Sequence, residues 1–123
     1  MKSVAQNIST FQRKEIDSLF QHAQAAYKSK EFVILTSPCI LSFGRILPIT
    51  SKKVGNAPER NKLRRQSRAI FYENQLFAQQ LDMVIIFKSP AKKLPFQSLQ
   101  SIIIKTMQRS LNKQHQPSQP VAL

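Results

Sequence analysis

Residues 51–80 read SKKVGNAPERNKLRRQSRAIFYENQLFAQQ. Lys52 and Lys53 stand before a Gly55-Asn56 break. Asn56 and Glu59 have the spacing of a capping box, in which each side chain satisfies a backbone N–H of the other at a helix start. Pro58 is tolerated there because first-turn N–H groups have no intrahelical partner. The pattern predicts a helix over 57–81. At about 100° per residue from Arg60 as zero, Arg60, Asn61, Arg64, Arg65 and Arg68 fall within an arc of roughly 140°, while Leu63, Ile70, Phe77 and Leu81 cluster near 280°. One face docks on a core and the other presents guanidinium groups to solvent.

Working outward, residues 1–10 are polar and patternless and read as a flexible N-terminus. A first helix is expected from about Lys14 to Tyr27, with Ile16, Leu19, Phe20 and Ala23 at helical spacing and Ser9 or Thr10 as its cap. Phe32–Thr36 is short, apolar and rich in β-branched residues, as a buried strand is, and Ser37-Pro38 ends it. A second strand region, Leu41–Ser51, is interrupted by Gly44 and Pro48, and Pro48 without an N–H confines it to an edge or a bulge. Beyond the basic helix, Val84–Phe87 reads as another strand. Pro95 opens a last helix with Phe96, Leu99, Ile103, Met107 and Leu111 on one stripe. Residues 112–123, rich in Gln and Pro, read as a disordered tail. One domain over 11–111 results, of α/β (α+β) class. It is a two-layer sandwich of a small, mostly central sheet and three helices, in the order helix, two or three strands, helix, strand, helix.

The charge narrows the function. Against 19 Lys and Arg stand 6 Asp and Glu, a formal +13 on 123 residues, which implies a polyanionic partner, nucleic acid above all. The arginines suit phosphates because each guanidinium makes forked, charge-assisted hydrogen bonds. Glu59 and Glu73 are too few to neutralise the helix by pairing within it. There is no run of about 18 apolar residues and no signal-like N-terminus, so a soluble cytoplasmic protein is expected, not a membrane one. Cys39 is the sole cysteine; it forms no intrachain disulfide and reads as apolar filler. The acids Glu15, Asp17, Glu31, Glu59, Glu73 and Asp82 are scattered, and Glu15 and Asp17, two apart, do not share a helix face. Neither His22 nor His115 has a nucleophile or ligand spacing around it, so no catalytic or metal site is expected in the protein.

From Arg45 to Arg68 the chain reads RILPITSKKVGNAPERNKLRRQSR. This closely resembles the bacterial ribonuclease P protein family, whose signature is an RNR-type helix preceded by a lysine pair and a glycine turn. The resemblance extends more weakly from Phe11 to Arg109. It implies that Lys52, Lys53, Arg60, Asn61, Arg64, Arg65 and Arg68 contact the catalytic RNA. Lys62 stands where the family usually has arginine, so it keeps the charge and loses the fork. The resemblance also implies a left-handed crossover between parallel strands through this helix. It further implies a cleft between the first helix and the sheet for the single-stranded 5′ leader of precursor tRNA. Phe20 and Phe32 match apolar family positions near that cleft, although a Phe at such spacing is also ordinary core. Ile16 and Leu35 stand where many members have aromatics. Ala69 replaces a common acid and Tyr72 a common arginine. The implied role is that of a protein subunit with ribonuclease P RNA and precursor tRNA as partners and no obligate protein partner. Leader removal then uses Mg2+ held by the RNA subunit, the protein itself binding no cofactor. A general RNA-binding or ribosome-associated protein, and a protein-only nuclease, are the alternatives.

Overall fold

The computed structural model describes residues 7–115. Its elements are α1 (Arg13–His22), β1 (Gln24–Lys28), β2 (Phe32–Pro38), β3 (Ile46–Ile49), α2 (Ala57–Glu73), β4 (Leu81–Phe87) and α3 (Phe96–His115). Short 3-10 turns lie at Lys52–Val54, Leu76–Gln79 and Ser89–Lys93.

The strands form one sheet in the order β1-β2-β4-β3. β4 is central: it runs antiparallel to β2, from Phe32 opposite Phe87 to Pro38 opposite Leu81, and parallel to β3, from Ile46 beside Met83 to Ile49 beside Ile86. β3 is an edge strand, as Pro48 requires. Side-chain alternation divides the sheet into two faces. Phe32, Ile34, Ile46, Leu81, Met83, Ile85 and Phe87 bury themselves against Leu63, Ile70 and Phe71 of α2 and Leu99, Ile103 and Met107 of α3. Leu35 and Val84, cross-strand neighbours, lie on the opposite face, where α1 packs on β2 through buried Leu19.

Five expectations are corrected. The first helix stops at His22, and the following Gln24–Lys28 is a strand paired with β2, bulged between Ala25 and Tyr27. Its two alanines favour helix locally, but the open edge of β2 offers a full ladder of hydrogen bonds, and the tertiary partner decides. The cap of α1 is Gln12, which closes a box with Glu15 (N–H to Oε1, 2.8 Å), in place of Ser9 or Thr10. Residues 7–10 are docked: Ile8 is buried, its carbonyl accepts from the Ile46 N–H at 2.8 Å, and the Ser9 hydroxyl donates to the Ile46 carbonyl at 2.7 Å. The rest of the expected flexible N-terminus, residues 1–6, lies outside the described residues. At the other end α3 continues through the first four residues of the expected tail, and 116–123 lie outside the described residues.

The fifth correction concerns α2, which ends at Glu73, short of the expected 81. Asn74 closes it with an N–H to the Ile70 carbonyl at 3.1 Å, and Gln75 turns left-handed at φ 54°. Phe77 therefore sits in a 3-10 turn and Leu81 in a strand. That turn is held by the Gly44 N–H, which donates to the Phe77 carbonyl at 2.7 Å. Gly44 permits this approach, since a Cβ there would lie 2.2 Å from the Leu81 carbonyl oxygen.

Candidate nucleic-acid interface

The basic surface is assembled where β3 leaves the sheet. Val54 is fully buried and pins the 3-10 turn to the core, which leaves Lys52 and Lys53 exposed on either side of the turn's path. The capping box then fixes the start of α2. The Glu59 N–H donates to Asn56 Oδ1 and the Asn56 N–H to Glu59 Oε1, both at 2.9 Å. A Cβ on Gly55 would fall 2.5 Å from that Glu59 oxygen, so a bare backbone at this position keeps the box closed.

Along α2 the buried residues are Leu63, Ser67, Ile70 and Phe71. With Arg60 as zero these occupy an arc from about 280° round to about 20°. The core face is thus wider on the Arg60 side than Leu63, Ile70, Phe77 and Leu81 imply, because Phe71 and Ser67 belong to it. Ser67 goes inward by donating its hydroxyl to the Leu63 carbonyl at 2.8 Å. Asn61, Lys62 and Arg65 are exposed, whereas Arg60, Arg64 and Arg68 are half-buried.

Arg64 is held at two points. Its Nη1 donates to Thr50 Oγ1 at 2.7 Å, and its Nη2 donates to Asn61 Oδ1. The guanidinium therefore bridges the residue that follows β3 and the start of α2. This pre-organisation lowers the side-chain entropy lost on phosphate binding. Lys52 and Lys53 thus lie in the turn before α2, and Arg60, Asn61, Arg64, Arg65 and Arg68 follow one arc along the helix, with Lys62 outside that arc.

The second surface is less complete. Phe20 is 41% exposed on α1, and Ile16 and Leu35 are half-buried on the α1 side of the sheet. Phe32 is not part of it. Its ring is fully buried between Tyr27 and Phe87, with centroids 5.4 and 5.8 Å away, on the face covered by α2 and α3. The reason was available in the spacing: residues 32 and 35 of one strand point to opposite faces and cannot line the same cleft.

Sequence reasoning overlooked the residue that seats α1. Arg45 is 1% exposed, and its guanidinium meets both Glu15 oxygens (3.2 and 3.1 Å) and the Thr10 carbonyl (2.7 Å) and lies 4.1 Å above the Phe11 ring. These hydrogen bonds hold the Glu15 carboxyl below its usual range, with the Gln12 N–H adding to the effect. The backbone of the same residue is also held, its N–H donating to Asp82 Oδ1 at 2.8 Å. Asp82 is fully buried, and burial raises its pKa against that hydrogen bond. Burial also pushes the Cys39 thiol up, which keeps it protonated and unreactive. Among the described residues no three His, Cys, Asp or Glu side chains gather closely enough to hold a metal ion, and no helix is long and apolar enough to cross a membrane.

A row of cations along the helix of a βαβ unit, with a second, half-buried apolar surface where α1 meets the sheet, defines an α+β protein suited to a polyanion. Comparison with known proteins says which one. The ribonuclease P family profile matches residues 7–111. The ribonuclease P protein component of Syntrophus aciditrophicus is 32% identical over 85 residues, 68% of this chain and 71% of that one. That of Finegoldia magna is 39% identical over 67 residues, 54% and 59% of the two chains. Among solved structures, the fold matches the ribonuclease P protein of Staphylococcus aureus (TM-score 0.67, 22% identity, 84% and 94% of the two chains). It also matches that of Thermotoga maritima (TM-score 0.68, 21% identity, 82% and 96%). The chain belongs to the ribonuclease P protein family, and its function is that of a protein component in tRNA processing.

Proposed function

We propose that this chain binds the RNA subunit of ribonuclease P through the α2 end and contributes no group to the cleavage itself. Lys52, Lys53, Arg60, Asn61, Lys62, Arg64, Arg65 and Arg68 contact the RNA backbone, and the observation that carries this is Arg64, locked between Thr50 and Asn61 beside exposed Arg65. The precursor tRNA leader runs along the α1 face of the sheet, over Ile16, Phe20 and Leu35. The RNA subunit, with its Mg2+, hydrolyses the phosphodiester that separates leader from mature 5′ end. The protein's part is electrostatic and steric: neutralising phosphates lets enzyme RNA and substrate approach and releases counterions, and the leader is held in register with the cleavage site. This work takes place in the cytoplasm, without a second protein.

The test mixes purified protein, a bacterial ribonuclease P RNA and a precursor tRNA at low magnesium and follows leader release against protein-free and RNA-free controls. Stimulation that needs both components is expected. Leader release by the protein alone, or tight RNA binding without stimulation, would overturn the proposal, the latter in favour of a general RNA-binding protein.

A further inference from the structure

α2 carries one more exposed side chain on its RNA-facing arc. From Arg60 as zero, Tyr72 falls at about 120°, between Arg68 at about 80° and Arg65 at about 140°. It is 44% exposed, and one face of its ring stacks on Phe77 at 5.6 Å with 23° between planes. Phe77 is itself half-buried against the core, and its backbone is held by Gly44. A tyrosine backed by a fixed ring costs little entropy to hold in place. Exposed one helical turn beyond Arg68, such a ring presents a flat π surface at the end of the row of cations.

We propose that Tyr72 is a stacking platform for an unpaired base of the RNA whose backbone the α2 arginines track. The assignment rests on the interface reading above and adds a different chemistry to it. Arginine at this position, common in the family, would take another phosphate and be indifferent to base pairing. An aromatic ring takes a base that has left its helix, and any base suits it because every base has a π face. The RNA region met by the end of α2 is therefore single-stranded or bulged, and the surface reads secondary structure as well as charge.

Binding of the full chain to a transcribed bacterial ribonuclease P RNA, measured across a salt series, tests this. Y72A and Y72L are expected to weaken binding about tenfold, within the range found for loss of one base stack, with the salt slope unchanged. Y72F is expected to bind within about twofold of the unmodified chain. Y72L keeps an apolar cover on Phe77, so its weakening cannot be laid to a disturbed fold, and thermal melts of each variant check this. The chain has no tryptophan, so Y72W supplies a single indole whose emission should be quenched on RNA binding. If Y72L binds as tightly as the unmodified chain while R65A binds more weakly, the platform is wrong and the interface stands. If neither weakens binding, the interface reading itself fails.

Discussion

At the residue scale, two carboxylates, the half-buried Glu15 and the buried Asp82, respond to acid in opposite senses. Glu15 has its pKa lowered by Arg45, so its contribution to stability is complete above the ordinary carboxylate value of 4.5 and is lost as pH falls through the lower folded value. Asp82 works in the opposite sense: burial raises its pKa, its charged form costs stability above that pKa, and protonation relieves the cost as pH falls. E15Q keeps the hydrogen-bonding shape and removes only the first contribution. The stability gap between the unmodified chain and E15Q, from urea unfolding at successive pH values, should be widest at neutral pH and close below pH 4.5. A gap that does not change with pH would contradict the assignment. E15A leaves the Arg45 guanidinium buried without its partner and should cost roughly 3 kcal/mol. Gly44 is the other sensitive position. G44A drives a Cβ into the backbone oxygen of Leu81, and a loss of about 2 kcal/mol or more is expected from calorimetry, since backbone cannot give way as a side chain does.

At the element scale, the arginines of α2 separate by what else they touch. Arg65 is exposed and, among the described residues, forms no side-chain hydrogen bond or ion pair, so R65A should weaken RNA binding, lower the salt slope by about one and leave the melting temperature within roughly 2 °C. Arg64 ties α2 to Thr50, so R64A should weaken binding and also lower stability by about 1 kcal/mol. The sequence alone predicts that both can be removed without touching the fold, and the structure restricts that to Arg65. On the sheet, L35Y places an aromatic face on the α1 side. It should tighten binding of a single-stranded leader oligonucleotide by about fivefold or more, measured by fluorescence anisotropy; no gain would argue that the leader takes another path.

What was legible in the sequence follows from the range of the forces involved. The capping box, the lysine pair and the start of α2 are local, set within four residues, and the structure has them as read. The end of α2 is not local. Nothing in Tyr72–Gln80 breaks a helix by composition, and the left-handed turns at Gln75 and Gln80 are imposed by Gly44 and by the pairing of Leu81 across the sheet. β1 was hidden for the same reason, because Gln-Ala-Ala-Tyr-Lys has no alternation of its own and becomes a strand only beside β2. Arg45 was passed over as one charge among many; its burial depends on Glu15 and Phe11, thirty residues away. The Phe32 error differs in kind, since strand parity alone would have removed it from the cleft.

At the scale of the whole molecule, a formal charge of +13 guarantees affinity for any RNA, and affinity alone says little about function. On the function proposed above, this charge is arranged, with arginines along one arc of α2, so that one particular RNA fits. The most direct test is competition. The protein is titrated against labelled bacterial ribonuclease P RNA at near-physiological salt, with an unlabelled structured RNA of equal length as competitor, for the unmodified chain and for R65A. A preference for the ribonuclease P RNA of at least about tenfold, about 1.4 kcal/mol, is expected, with R65A, which loses one phosphate contact, weakening binding to that RNA. Equal affinity of the unmodified chain for the two RNAs would contradict this and leave only a basic protein that binds RNA by charge.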